Sequence, residues 1–131
     1  NAPTFRRETA RPDDLPAIIA LLADDALGAT REIVGDPPHP RYVRAFQAID
    51  SDPNQLLLVA DLAGEVAGCL QLTFIPGLSR AGMTRGQIES VRIAKSQRGD
   101  GLGRALIGHA IEECRRRGCE LVQLTTDASR I

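Results

Sequence analysis

One stretch decides the fold of this chain, and it is Gln97-Arg98-Gly99-Asp100-Gly101-Leu102-Gly103-Arg104. It follows an alternating, strand-like run over residues 87–93 and leads into a helical pattern over residues 102–117. Because glycine has no Cβ, the backbone can turn sharply here and come close to a ligand. The N–H groups of a first helical turn and the positive end of the helix dipole attract anions. The stretch therefore predicts a cradle for phosphate or pyrophosphate, to which Arg98 and Arg104 add charge-assisted hydrogen bonds.

Two well-known phosphate-binding loops have a different spacing. The mononucleotide loop Gly-x-x-x-x-Gly-Lys-Ser/Thr needs a Lys-Ser/Thr pair, and no such pair closes this turn. The dinucleotide fingerprint Gly-x-Gly-x-x-Gly fails because Gly99, Gly101 and Gly103 recur at every second residue. What remains is the pattern Arg-x-x-Gly-x-Gly, from Arg98 to Gly103. The alternative interpretation is a helix start whose glycines serve only to pack it against a sheet.

The composition is that of a globular protein and argues against several functions. With 131 residues, we expect residues 1–131 to form a single domain with a substantial core. The net charge of −1 gives no general attraction to nucleic acid or to an anionic membrane. No run is apolar enough to span a bilayer, and no signal-peptide core is visible. The three cysteines lack metal-ligand spacing, so we expect no metal site and reduced, packing cysteines in a cytoplasmic protein.

The pattern of apolar residues predicts an α/β fold of the α+β kind. Strands are expected at Thr4–Thr9, Gln55–Leu62, Val66–Ile75, Gln87–Ile93 and Glu120–Thr125, the last of them buried. Helices are expected to begin near Pro12, to run from Pro40 to Ile49 and to run from Leu102 to Arg117, with loops over residues 28–40 and 76–85. A tight hairpin at Ala63-Gly64-Glu65 makes the earlier strands antiparallel, whereas the helical crossover makes the last pair parallel. The prediction is a mixed, mostly antiparallel central sheet flanked by helices.

The apolar faces of the predicted helices follow the same spacing. They comprise Leu15, Ile18, Ile19 and Leu22 in the first helix, Val43, Phe46 and Ile49 in the second, and Leu102, Ala105, Leu106, Ile107, Ala110, Ile111 and Cys114 in the third.

The pattern Arg98-x-x-Gly101-x-Gly103, between a strand ending at Ile93 and an amphipathic helix, resembles the acetyl-CoA pyrophosphate loop of the GNAT superfamily of N-acetyltransferases. The resemblance covers roughly Thr4 to Thr126 and implies a GNAT-like acyl-CoA acyltransferase fold. It implies acetyl-CoA as co-substrate, with its pyrophosphate held by the turn, that is by Arg98, Gly99, Asp100, Gly101, Leu102, Gly103 and Arg104. Because the charge of Asp100 opposes phosphate, its side chain should point away from the cradle.

The resemblance also implies where the rest of the reaction takes place. Backbone groups of Val91, Arg92 and Ile93 would hold the pantetheine arm and polarise the thioester carbonyl. Glu89, on the same strand, is the candidate general base, because an amine attacks well only when it is unprotonated. The alternative is a structural glutamate that pairs with a nearby arginine or with solvent.

The implied function is transfer of an acetyl group from acetyl-CoA to a primary amine of a small molecule or protein. The alternative is an acyl-CoA-binding sensor or interaction module without catalysis, since fold does not fix function. A nucleotide-binding domain is disfavoured by the glycine spacing. The resemblance is compatible with a homodimer, and it implies neither nucleic acid nor a membrane as a partner.

Two features of the chain bear on its acceptor side. The superfamily continues with another helix and further strands, so we expect the C-terminal part of the fold to be missing from this sequence. That helix often carries a tyrosine that protonates the leaving thiolate, whereas Tyr42 is the only tyrosine here and lies elsewhere. His39 and Tyr42 fall in the region that would wall the acceptor site. Alternatively, His39 is a loop residue and Tyr42 a packing residue.

Overall fold

The computed structural model describes residues 10–125 and, for their backbone only, residues 4–5. The strands are β1 (Thr4–Phe5), β2 (Gln55–Leu62), β3 (Glu65–Pro76), β4 (Thr84–Ile93) and β5 (Leu121–Leu124). The helices are α1 (Leu15–Ala23), α2 (Ala26–Arg31), α3 (Pro40–Ser51), the single turn α4 (Ser79–Gly82) and α5 (Leu102–Arg116), with 3-10 turns at Pro12–Asp14 and Lys95–Gln97. The part of the first predicted strand after Phe5 lies outside the described residues.

The described strands form one mixed sheet in the order β1-β2-β3-β4-β5. Each pair from β1 to β4 is antiparallel. The pair β4–β5 is parallel, with a register from Arg85 opposite Leu121 to Ile88 opposite Leu124. The helix α5 makes the crossover between these two strands, as a parallel pair requires. The predicted mixed, mostly antiparallel sheet is therefore confirmed.

The sheet separates two apolar clusters. On one face α5 packs against the alternate residues of the strands, and the larger fully buried aliphatic side chains there are Leu58, Leu70, Leu72, Ile88 and Leu106. On the other face α1 and α3 pack against the intervening residues, and buried members there are Ile18, Ile19, Phe46, Leu57 and Val59. Two-residue alternation thus gives each strand one face for each helix layer. We call these the α5 face and the α1–α3 face.

The prediction of a loop from residue 28 is wrong for its first four residues, because α2 continues to Arg31. The side chain of Asp25 caps this short helix by accepting a hydrogen bond from the Gly28 N–H. Gly28 lies so close to α1 that a Cβ atom would overlap the Leu22 carbonyl oxygen. The loop prediction failed because a tertiary contact, rather than apolar periodicity, holds α2. Similarly, β4 begins at Thr84 rather than at residue 87.

Three predicted apolar faces are narrower than expected. Val43 is 37% exposed, and Tyr42 packs beside Phe46 and Ile49 in its place. Leu22 is only partly buried. In α5, Ile111 is 39% exposed and Ala105 is also exposed.

The last strand is not buried as predicted. Its first two residues are half-buried and its last two are exposed, with Leu124 56% exposed. The reason is its position at the edge of the described sheet, where it has one neighbour, β4.

The three cysteines are free thiols, and two of them are buried. Burial raises the pKa of the Cys69 thiol to about 12. Burial, reinforced by the neighbouring Cys119 thiol, raises the pKa of Cys114 to about 11. Cys69 and Cys114 are therefore uncharged at neutral pH and serve as packing residues, as predicted.

Replacing Gly28 with alanine tests the contact that holds α2. The added Cβ would meet a backbone oxygen, which cannot rotate away, so we expect a loss of about 1–3 kcal/mol in the free energy of unfolding. Gly108→Ala is the matched control, because a Cβ there meets nothing within 4 Å and alanine is favoured in a helix interior. Urea denaturation measures both variants, and an unchanged midpoint for Gly28→Ala would show that α2 is not packed in this way.

Candidate active site

The turn between β4 and α5 depends on two left-handed glycines. Gly99 has φ 88° and Gly101, the N-cap of α5, has φ 81°. A Cβ at either position would meet nothing within 4 Å, so the backbone angle, and not lack of room, demands glycine there. Gly103 differs, since its φ is not left-handed and a Cβ would only touch the Ile93 side chain at 3.5 Å.

The turn directs a group of backbone N–H donors away from the protein. Among the described residues no backbone carbonyl accepts from Gly99, Gly101, Leu102, Gly103 or Arg104. By contrast, the Asp100 N–H donates to the Gln97 carbonyl at 3.4 Å. Four of the five free donors lie at the N-terminus of a fifteen-residue helix, where the helix dipole is positive. This arrangement suits an anion with several oxygens.

An open hollow of about 520 Å³ lies at these donors. It is lined by Ile93, Gln97, Arg98, Gly99, Gly101, Gly103 and Arg104. Gln97 was not among the predicted residues, although the quoted stretch begins with it.

Two of the predicted cradle residues take other positions. Asp100 instead lines a neighbouring hollow with Leu62 and Ala63, and its N–H is already bonded. The side chain of Leu102 is buried in the core on the α5 face, so only its N–H is available to a ligand.

The arginine at the start of the turn has partners within the protein. Arg98 Nε donates to the Ile93 carbonyl at 3.2 Å, and Arg98 Nη2 lies 3.6 Å from Asp24 Oδ2. Because both side chains of this ion pair are about half exposed, water screens the attraction. The guanidinium is therefore held at the rim of the hollow by weak contacts.

A β-bulge in β4 sets which side chains face which helix layer. Gln71 pairs with Glu89 and Cys69 pairs with Arg92, so two residues of β4 stand opposite one residue of β3. One of the two, Ser90, has φ 56°. The bulge was not predicted, yet the spacing of Ile88, Val91 and Ile93, first three and then two, is a sequence signal for it.

The bulge determines on which face of the sheet each side chain of β4 lies. Val91 and Ile93 pack on the α5 face together with Ile88. Glu89 and Arg92 consequently lie on the α1–α3 face, where Arg92 Nε is 3.9 Å from Asp25 Oδ2. Of the predicted arm-binding residues, Val91 and Ile93 can thus present only their backbone to a ligand beside the sheet.

The described contacts between β4 and β5 end at Ile88, just before the bulge. The last contacts between them are Ile88 opposite Leu124 and the Thr125 N–H donating to the Ile88 carbonyl at 3.0 Å. Within the described residues, β5 makes no backbone hydrogen bond to residues 89–93. The Val91 carbonyl accepts from Arg92 Nη1 at 2.9 Å, but a carbonyl has two lone pairs and can accept a second bond. Among the described residues, the backbone of residues 89–93 thus has no hydrogen-bonded neighbour on the β5 side, and this edge leads to the glycine turn.

Glu89 is half-buried on the α1–α3 face and stands beside Gln71. Within the part of the chain that the structure describes, no ion pair joins Glu89 to an arginine. Of the two structural alternatives to a catalytic role, the arginine pairing is therefore not formed among the described residues, whereas contact with solvent remains open.

His39 and Tyr42 each have a structural partner. His39 Nδ1 accepts a hydrogen bond from the Arg41 N–H at 3.1 Å and so caps α3. The Tyr42 hydroxyl donates to Glu32 Oε1 at 2.7 Å and accepts from the Ile33 N–H at 2.8 Å. Burial raises the pKa of Tyr42, although its bond to the Ile33 backbone opposes this. These contacts favour the structural interpretation of both residues.

Residues 10–125 bring together no group of three or more His, Cys, Asp or Glu side chains that could hold a metal ion. A search of the same described residues finds no helix with the length and apolarity needed to cross a membrane.

Comparison with known proteins identifies the family. The acetyltransferase (GNAT) family matches residues 16–131. Glucosamine 6-phosphate N-acetyltransferase from Trypanosoma brucei brucei is 41% identical over 61 residues, which are 47% of this chain and 42% of that protein. The match therefore spans less than half of the curated relative.

Solved structures share the fold. A transcriptional regulator from Bacillus halodurans C-125 is 44% identical with a TM-score of 0.93, and the match covers 98% of this chain and 85% of that one. Glucosamine-6-phosphate N-acetyltransferase from Arabidopsis thaliana has a TM-score of 0.79 at 20% identity, covering 99% of this chain and 86% of the other. The family match extends over most of the chain and includes the glycine turn, so this chain belongs to the GNAT acetyltransferase family.

Proposed function

We propose that this chain transfers an acetyl group from acetyl-CoA to a primary amine. The observation that carries the proposal is the pairing of an anion cradle with an open strand edge. The cradle consists of five backbone N–H groups that have no backbone acceptor. The edge is the backbone of residues 89–93, to which the described part of β5 makes no hydrogen bond. The GNAT family uses acetyl-CoA as its co-substrate, a molecule with a pyrophosphate at one end and an extended amide-containing arm at the other.

The pyrophosphate would lie on the N–H groups of the turn. Gly99, Gly101, Leu102, Gly103 and Arg104 supply these donors, and left-handed angles at the first two let them converge. The Arg104 side chain lines the same hollow and adds a positive charge. Because backbone N–H groups would bind the pyrophosphate, the Asp100 side chain can lie outside the cradle without loss of a contact.

The pantetheine arm would run along the open edge of β4. Its amides would pair with the backbone of residues 91–93 as an additional strand would, because the described part of β5 makes no hydrogen bond there. A backbone N–H at this edge would polarise the thioester carbonyl as its oxygen gains charge.

The reaction itself needs a base on the acceptor side. The amine nitrogen attacks the thioester carbonyl carbon, a C–N bond forms, and the C–S bond then breaks. Glu89 accepts the proton that the amine loses, directly or through one water, and the departing thiolate is protonated by solvent. Its position on the strand that lines the arm, without a competing ion pair, supports this role.

The choice of the first acceptor to test rests on the name of one relative. The name of the Trypanosoma protein gives glucosamine 6-phosphate as its acceptor, so this amino sugar is the first compound to test here. The aligned segment, which is 41% identical, covers under half of either chain, so this amino sugar is a starting point for a panel of amines.

A second candidate function is an acyl-CoA-binding sensor without catalysis. It is favoured by the 44% identity to a protein named as a transcriptional regulator. Both functions use the cradle, and only the first releases CoA thiol in proportion to added amine. Thiol release in the presence of amines therefore separates them.

Gly101→Val tests the cradle. A β-branched residue cannot easily adopt φ 81°, so the N–H groups should lose their alignment and acetyl-CoA binding should fall at least about a hundredfold. Gly118→Val is the matched control, because Gly118 has φ 78°, an equally open Cβ position and a place at the far end of α5. Calorimetric titration with acetyl-CoA should show the loss only in the Gly101 variant. Equal affinity of the two folded variants would refute the cradle.

Glu89→Gln tests the base. The substitution keeps the shape of the side chain and removes its basicity, so we expect turnover to fall about a hundredfold or more at neutral pH. The loss should shrink as pH rises, because more of the acceptor is already neutral, and acetyl-CoA affinity should stay unchanged. Parent-level turnover at neutral pH would show that the proton leaves by another route.

A further inference from the structure

Three polar side chains on the α1–α3 face form a small hydrogen-bonded cluster. Gln71 Nε2 donates to Gln55 Oε1 at 3.0 Å, and Thr73 Oγ1 donates to the same oxygen at 3.0 Å. All three residues are half-buried and lie on the neighbouring strands β2 and β3. Nothing in the mechanism above uses this cluster.

The cluster lies directly beside Glu89. Leu70 and Leu72 are on the α5 face, so alternation places Gln71 on the opposite face together with Cys69. Gln71 is the cross-strand partner of Glu89. Such partners have Cβ atoms about 5 Å apart, which is close enough for one small group to contact both side chains.

The hydrogen bonds of the cluster decide which atom Gln71 offers. Gln55 Oε1 accepts two bonds and thereby anchors the Gln71 amide through its nitrogen. Gln71 Oε1 is then left as an acceptor, and the described residues supply no donor to it. The site therefore presents two hydrogen-bond acceptors side by side, a neutral amide oxygen and the Glu89 carboxylate.

We propose that Gln71 binds the acceptor amine and makes the site selective for primary amines, an inference that rests on the proposed function. A neutral primary amine has two N–H bonds, of which one is donated to Gln71 Oε1 and the other to Glu89. Its lone pair is then free to attack the thioester. After attack, Glu89 takes one proton from the amine nitrogen. The Gln71 amide is not basic, so its oxygen only keeps accepting the hydrogen bond from the remaining N–H.

A secondary amine is the informative competitor. It has a single N–H in its neutral form, so it satisfies one of the two oxygens and leaves the other without a donor in a half-buried place. A site built to hydrogen-bond a group discriminates against an analogue that lacks it. Secondary amines are not weaker nucleophiles by their own chemistry, so a preference for the primary amine must come from the protein.

The test compares n-butylamine with N-methylbutylamine as acceptors in the acetyl-CoA thiol-release assay. The two probes have similar basicity and are small. We expect kcat/KM to favour n-butylamine by about tenfold or more in the parent protein. In Gln71→Leu the preference should fall to within about threefold, through loss of the n-butylamine rate. Gln87→Leu is the matched control, because Gln87 lies on the same face, pairs with Thr73 and is outside the cluster.

A second variant keeps the test decisive if Gln71→Leu does not fold. Gln55→Leu leaves Gln71 in place but removes its anchor, so an intermediate preference is expected. A parent protein without preference, or an unchanged preference in both Gln71→Leu and Gln55→Leu, overturns the inference.

Failure of the proposed function is recognised separately. If acetyl-CoA binds but no amine is acetylated, the catalytic function is wrong, and NMR titration of the CoA-bound protein with n-butylamine decides the role of Gln71. Weaker binding to Gln71→Leu than to the parent supports it, whereas equal or undetectable binding refutes it.

Discussion

The site depends on one backbone constraint, which is that α5 must begin where β4 ends. The core fixes α5, because Leu102, Leu106 and Ala110 are buried against the sheet. The chain can reach that fixed helix only through left-handed residues at Gly99 and Gly101, a conformation that costs other residues about 1–2 kcal/mol each. The same geometry prevents any backbone carbonyl from capping the first turn of α5. The group of N–H donors without a backbone acceptor, to which we assign the pyrophosphate, is therefore a direct consequence of how helix and strand are joined.

The bulge at Ser90 is the second constraint, because it determines which side chains of β4 face each helix layer. Without it, strict alternation would place Val91 and Glu89 on the same face. With it, Val91 and Ile93 anchor the strand in the core while Glu89 and Arg92 face the other helix layer. The proposed co-substrate edge and the proposed acceptor face thus belong to one strand and are held by one core.

Local signals predicted most of the fold but only part of the site. The hairpin at Ala63-Gly64 and the crossover after Gly103 are short-range features, and they sufficed to predict antiparallel strands up to β4 and a parallel last pair. The contact of Gly28 with α1 and the exposure of Val43 depend on packing between elements, which periodicity does not contain. The neighbours of Glu89 escaped prediction for a related reason. Gln71 reaches it only through strand register, and a bulge shifts that register by one residue.

The contacts of Arg98 within the protein are weak enough for a ligand to replace them. Arg98 contacts Asp24 and the Ile93 carbonyl, but the ion pair is half exposed, and such pairs contribute roughly 0–1 kcal/mol. A phosphate offers the same guanidinium a stronger, bidentate partner. If the pyrophosphate binds as proposed, Arg98 can exchange Asp24 for it at little cost. Asp24 adjoins Asp25, which caps α2 and lies near Arg92, so this exchange would act on the corner between α1 and α2. That corner and Glu89 share one face of the sheet, so the proposed cradle and the proposed acceptor side would both border the helix layer of α1 and α3.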